Sequence, residues 1–294
     1  MKIVLPALLP LKTLFLLLIP MSTAHWEEQG QGLRRNLYIT GDYHQNVVSI
    51  RTRKHIRNWG DNHFCAGSIL SARWVVTSGC CVSTLPASTP NKSSTRKNIK
   101  VVVFTRKRLK KPLRENVFKV EKVVLGKASD GECSKLALLK LEKAITGQRF
   151  AIKLPKEEMN STWLCRTLGW GRMYYNGPYS NELLQLRTQK SSAFNCKKDC
   201  NSCLCMGSFT GKGNMCQLDR GSPLFCGHII YGVARQSHTC QDESFMVYTS
   251  IFHQRKFIED TLSRAPSPEE SRQILILIVT LMLPWSLFNS FINN

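Results

Sequence analysis

Three groups of residues in this sequence have types and spacings that could do chemistry. Cys196, Cys200, Cys203 and Cys205 fall within ten residues, a density that suits either a tetrahedral thiolate site for zinc or tight disulfides. Arg96 to Arg114 gathers Lys97, Lys100, Arg106, Lys107, Arg108, Lys110 and Lys111 around the apolar run Val101 to Phe104, with no acid before Glu115. Such a run is either a solvated loop or a seat for a polyanion, and its density makes Lys107, Arg108, Lys110 and Lys111 the candidate contacts. Gly207 to Lys212 looks faintly like a phosphate loop. It is one residue short and lacks a strand-to-helix setting, so it is set aside.

The compartment decides between metal and disulfide. Lys2 and Lys12 flank and interrupt the apolar run Ile3 to Pro20, which is followed by Ser22-Thr23-Ala24, a small-x-small pattern suited to signal-peptidase cleavage. Residues 1–24 therefore read as a signal peptide, and the mature chain is expected to start near His25. Twelve cysteines agree with an oxidising lumen, where thiols pair. Disulfides are thus expected over zinc, and neither a metal nor another cofactor is expected. Asn91-Lys92-Ser93 and Asn160-Ser161-Thr162 are glycan acceptor sequons that have meaning on such a route. Nucleic acid is a poor partner for a secreted chain, so the formal charge of +21 points to sulfated glycans, anionic lipid or acidic proteins.

A second apolar stretch, 274–292, is just long enough to span a bilayer, but no basic residue follows it and Pro284 interrupts it. It reads as a cleaved glycolipid-anchor signal or as a single membrane helix, behind a polar linker at 263–273. Either way the folded part is expected outside the cell, at a membrane surface or secreted.

Between these ends the chain runs in short apolar stretches bounded by Gly, Ser, Asn and Lys: Val47 to Ile50, Phe64 to Leu70, Trp74 to Thr77, Val101 to Phe104, Val117 to Leu125 and Leu136 to Leu141. The second half repeats the habit at Trp163 to Trp170, Glu182 to Leu186, Pro223 to Phe225, His228 to Ala234 and Met246 to Ser250. This spacing predicts an all-β fold, sandwich or barrel alike. Ile251, Phe257, Ile258 and Leu262 leave room for one amphipathic helix near the end.

Met215 to Cys226, Met-Cys-Gln-Leu-Asp-Arg-Gly-Ser-Pro-Leu-Phe-Cys, resembles the segment that carries the nucleophile in trypsin-like serine proteases. Other motifs of that family follow in order. His63 to Ser71 resembles the strand that leads to its histidine motif, and Trp74 to Cys81 is similar to the motif itself. Lys135 to Leu141 is similar to its aspartate motif, and Gly169-Trp170-Gly171, Cys205-Met206-Gly207 and Val247-Tyr248-Thr249 to its later landmarks. The resemblance implies two six-stranded antiparallel β-barrels with a short C-terminal helix over 46–262. It implies disulfides Cys65 to Cys81, Cys165 to Cys226, Cys216 to Cys240, and Cys205 to Cys196 or Cys200. It supplies no partner for Cys80, Cys133, Cys203 or the remaining one of Cys196 and Cys200.

The same resemblance places Cys80, Lys135 and Arg220 where the family keeps histidine, aspartate and serine. A serine protease needs a base, an orienting acid and amide donors for the oxyanion, and these three residues supply none of the first two. Leu218, Asn214, Arg235 and Met246 stand where the family's oxyanion and substrate-pocket residues are expected, and 25–45 holds no recognisable activation motif. The implied function is a catalytically inactive homologue that binds an extracellular protein or a sulfated glycan. The alternative is a hydrolase with atypical residues, in which a thiol at Cys80 is activated by the charge of Lys135.

Overall fold

The computed structural model describes residues 42–83, 99–127, 135–147, 152–171, 180–191, 203–208, 220–235, 245–263 and Ile276. The signal-like run, the sequon at Asn91, the linker from 264 onward and the tail apart from Ile276 lie outside the described residues. Among the described residues no helix is long and apolar enough to cross a membrane.

A 3-10 turn at Asp42–Asn46 leads into β1 (Val47–Thr52), β2 (His63–Ser71) and β3 (Trp74–Ser78), then α1 (Cys80–Ser83), β4 (Ile99–Val102), β5 (Val117–Leu125) and β6 (Leu136–Leu141). The second half holds β7 (Cys165–Gly169), β8 (Leu184–Lys190), β9 (Cys203–Ser208), β10 (Pro223–Cys226), β11 (Ile229–Ala234), β12 (Phe245–Ser250) and α2 (Arg255–Ser263). Each half closes into a barrel, in the orders β1-β2-β3-β6-β5-β4 and β10-β11-β12-β9-β8-β7. The expected two six-stranded antiparallel barrels are therefore the observed fold. The strand β9 lies in a stretch whose cysteines masked its apolar pattern, and was not expected.

Alternation explains why the strands of the first half read as near-continuous apolar runs. In β6, Ala137, Leu139 and Leu141 fill the first barrel, while Leu136 and Leu138 face the seam between the barrels. In β3, Val75 points into the barrel and Trp74 and Val76 to the seam. Leu168, Trp170, Phe225, Ile230 and Val233 meet them from the second barrel, and Ile258 of α2 packs on the same cluster. β3 and most of β6 are thus buried on both faces, which explains why most of their positions are apolar; Lys140 of β6 is the half-buried exception. On β5 the solvent returns to one face: Phe118 and Val120 are buried, and Lys119 between them is exposed.

Cys65–Cys81 ties β2 to α1, and Cys165–Cys226 ties β7 to β10. Loop closure of this kind stabilises a fold by about 2–4 kcal/mol each.

Candidate functional site

The seam between the barrels positions the residues that the resemblance singled out. Gly221 has φ +81°, and a Cβ there would run into the carbonyl of Ala66 and the hydroxyl of Thr77. Only glycine tolerates both the left-handed backbone and that approach. Ala66 N–H donates to the Arg220 carbonyl at 2.8 Å, Gly221 N–H to Ala234 O at 2.9 Å, and Ala234 N–H to Ser222 O at 2.8 Å. Segment 220–222 is thereby clamped between β2 of one barrel and β11 of the other.

On the opposite side of the seam, Gly79 N–H donates to the carbonyl of Lys135 at 2.8 Å, so the turn before Cys80 and the turn before β6 are one hydrogen bond apart. Cys80 is buried and disulfide-bonded. This corrects the expectation of a thiol nucleophile there: a half-cystine has no thiolate to attack with. Arg220 keeps its Nε buried without a hydrogen-bond partner. Ser222, the one hydroxyl in the stretch 215–226, is 1% exposed. Arg235 donates Nε to Thr249 Oγ1 at 3.2 Å, and the Tyr248 hydroxyl reaches Met246 Sδ at 3.7 Å. Asn214 and Leu218 lie outside the described residues.

Cys203 and Cys205 are each disulfide-bonded, which removes both from the candidate thiolate site. Cys196, Cys200, Cys216 and Cys240 lie outside the described residues, so the bridges proposed for them do too. Asn160 is exposed, and its Oδ1 accepts from both the backbone N–H (3.0 Å) and the hydroxyl (2.9 Å) of Thr162. The sequon is accessible.

The four candidate polyanion contacts do not form one set. Lys107 pairs with Glu182 at 3.3 Å across an isolated bridge, both side chains being exposed. Lys110 is exposed, and Lys111 Nζ lies 5.1 Å from the centroid of the Trp59 ring. Arg108 is a correction: it is buried, and its guanidinium donates to Gly60 O and Ser180 O, each at 3.1 Å. Its charge is spent on backbone carbonyls, because the turn at Gly60 and the approach to β8 close over it.

Arg51, Arg53 and Lys54 form a second basic run just past the apolar stretch Val47 to Ile50, and its composition is the signal that could have found it. Arg51 is buried and donates Nε to Ser49 Oγ at 2.8 Å and Nη2 to Arg108 O at 3.1 Å. Burial, and then the charge of Arg108, push its guanidinium down to about 10. Nearby, Asp61 caps the 55–62 turn by accepting from the amides of Ile56 (2.9 Å), Arg57 (2.6 Å) and Asn58 (2.9 Å). Those bonds, the Arg57 one foremost, hold its carboxyl down at about 2.

Comparison with known proteins agrees with this frame. Residues 39–258 match the family described as Trypsin. Human trypsin-3 is 26% identical over 213 residues, covering 69% of this chain and 66% of that protein. Trypsin 5G1 of Aedes aegypti is 25% identical over 246 residues, covering 78% and 86%. Among solved structures, human heparin binding protein superposes with a TM-score of 0.60 at 20% identity, covering 78% of this chain and 98% of its own. At that identity the likeness speaks for the fold. The conserved architecture and the family match over most of the length make this chain a member of the trypsin family.

Proposed function

We propose that this trypsin-family chain is not a peptidase but an extracellular binding module for sulfated glycans, held at a membrane surface through 274–292. One observation carries the first half of that reading. At the position that the resemblance gives to the catalytic base, Cys80 is locked in a disulfide. A half-cystine cannot take a proton from a hydroxyl, and the cationic side chains of Lys135 and Arg220 cannot replace it at neutral pH. The hydroxyl of Ser222 is out of a substrate's reach. What is left is a rigid two-barrel body with a formal charge of +21, which attracts polyanions over a Debye length. Human heparin binding protein, named for its ligand, is built on the same fold.

The test is paired. The purified protein should leave a peptide library uncut and should not react with a serine-directed fluorophosphonate. It should bind immobilised heparin and elute only at raised salt. Turnover of any library peptide that survives further purification would refute the inactive reading, and elution with the void volume at low salt would refute the glycan reading.

A further inference from the structure

Three cations stand side by side on the outer face of the first barrel. Arg51 on β1 is the register partner of Lys100 on β4, and Lys100 is the register partner of Lys119 on β5. Residues directly opposite on neighbouring antiparallel strands share a face, and strands lie about 5 Å apart. One position along, Ile50, Val101 and Phe118 form the matching row on the inner face and fill the core. Like charges directly opposite weaken a sheet, so an unanswered row of this kind is not what packing alone would select.

The nearby carboxylates do not answer it. Glu121 is committed to Arg73 at 2.6 Å and Lys140 at 2.9 Å, and the Lys140 hydrogen bond is the main cause that holds its carboxyl below the ordinary range. Glu142 reaches Lys119 only at 3.8 Å, between exposed side chains. Asp61 is turned onto backbone amides. Arg51 has a hydroxyl and a carbonyl as its hydrogen-bond partners, with no carboxylate.

Two hollows open along the row. One, of about 350 Å³, is lined by Arg51, Arg53, Lys54, His55, Trp59 and Lys100 among others, with no acidic residue in its wall among the described residues. Lys111 stands over Trp59 beside it. The second, of about 430 Å³, shares Arg53 and Lys100 and continues to Lys119, with Glu121 and Glu142 also in its wall, the first held by Arg73 and Lys140. The cations thus form a recessed track rather than a scattered surface charge.

We propose that this track seats a sulfated sugar chain, one sulfate entering the hollow at Arg53 and Lys100, with buried Arg51 adding its charge from beneath, and the chain running on toward Lys119. The inference rests on the glycan reading above and gives it an address distinct from the 105–111 loop. An arginine fork matches a tetrahedral oxyanion with two parallel hydrogen bonds. An acidic peptide could not add as a strand, because both partners of β1 and of β4 are taken in a closed barrel and no free edge remains.

The probe is a heparin hexasaccharide titrated by calorimetry against the whole protein at several salt concentrations. The double variant Arg53→Gln/Lys100→Gln should weaken binding at least tenfold and flatten the salt dependence. Lys153→Gln/Lys256→Gln, which removes the same charge from the second barrel and α2, should change it less than twofold. Thermal unfolding of each variant confirms that it is folded. If both doubles weaken binding equally, net charge is the cause and the track is overturned while the glycan reading stands. If the unaltered protein does not bind the hexasaccharide at low salt, the glycan reading falls and takes the track with it. Equal affinity for polyglutamate or for phosphatidylserine vesicles, lost through the same Arg53/Lys100 change, would overturn the sugar as occupant.

Discussion

Arg51 donates Nη2 to the backbone carbonyl of Arg108 at 3.1 Å, while the Arg108 side chain crosses to Gly60 O and Ser180 O. Two buried arginines are thus stacked through a carbonyl, and the second of them latches the 105–111 loop of one barrel to the approach to β8 of the other. Hydrogen bonds from a charged donor contribute about 1.5–3 kcal/mol each, and removing the donor leaves buried carbonyls unpaired. Relief of the Arg51 repulsion offsets part of this loss. Arg108→Ala should therefore destabilise by roughly 2–4 kcal/mol in denaturant unfolding. The heparin elution salt of the still-folded variant should stay that of the unaltered protein. A drop in elution salt without loss of stability would make Arg108 a ligand contact after all.

The 55–62 turn should respond to acid. Its folded-state Asp61 carboxyl sits at about 2 against an ordinary 3.8, so the native state favours the carboxylate. That contribution is complete above pH 3.8 and is lost as pH falls toward 2. Amide hydrogen exchange at Ile56, Arg57 and Asn58 should accelerate across this window more than exchange within β2. Asp61→Asn should already show the faster exchange at pH 6. A flat profile at these three amides would mean that the turn is held by other contacts.

Gly221 admits no side chain. Gly221→Ala combines a left-handed φ with a collision against Ala66 and Thr77, and strain plus overpacking of this kind costs roughly 3 kcal/mol. The melting temperature should drop by several degrees. Gly227→Ala, at φ +59° but with open space around it, should cost clearly less, which separates backbone strain from the seam contact.

The apolar tail 274–292 is proposed as a glycolipid-anchor signal, with a single membrane span as the alternative. Phosphatidylinositol-specific phospholipase should release the protein from cells expressing it. Retention together with an intact C-terminal tag would identify a transmembrane helix.

How much of this was legible in the sequence follows from the range of the interactions. Apolar alternation and the motif order located β2, β3 and β6 within a residue or two and left room for the C-terminal helix, which spans Arg255–Ser263, because those signals are local. The family resemblance carried the barrel closure and the two described disulfides, since partners such as Cys165 and Cys226 are far apart in the chain. Cys80, Lys135 and Arg220, which the resemblance sets at the family's catalytic positions, could be named from the sequence. Their state could not: only the folded chain shows Cys80 oxidised and Ser222 sealed in the seam. The basic segment was visible as composition, yet composition could not tell Arg108, which the Gly60 turn and the second barrel bury, from Lys110, which stays in solvent. The row Arg51, Lys100 and Lys119 was illegible for the same reason. Its members come from three strands that become neighbours only when β4 closes the barrel between β1 and β5, and register, which decides that they share one face, is fixed by long-range pairing and not by any one strand's sequence.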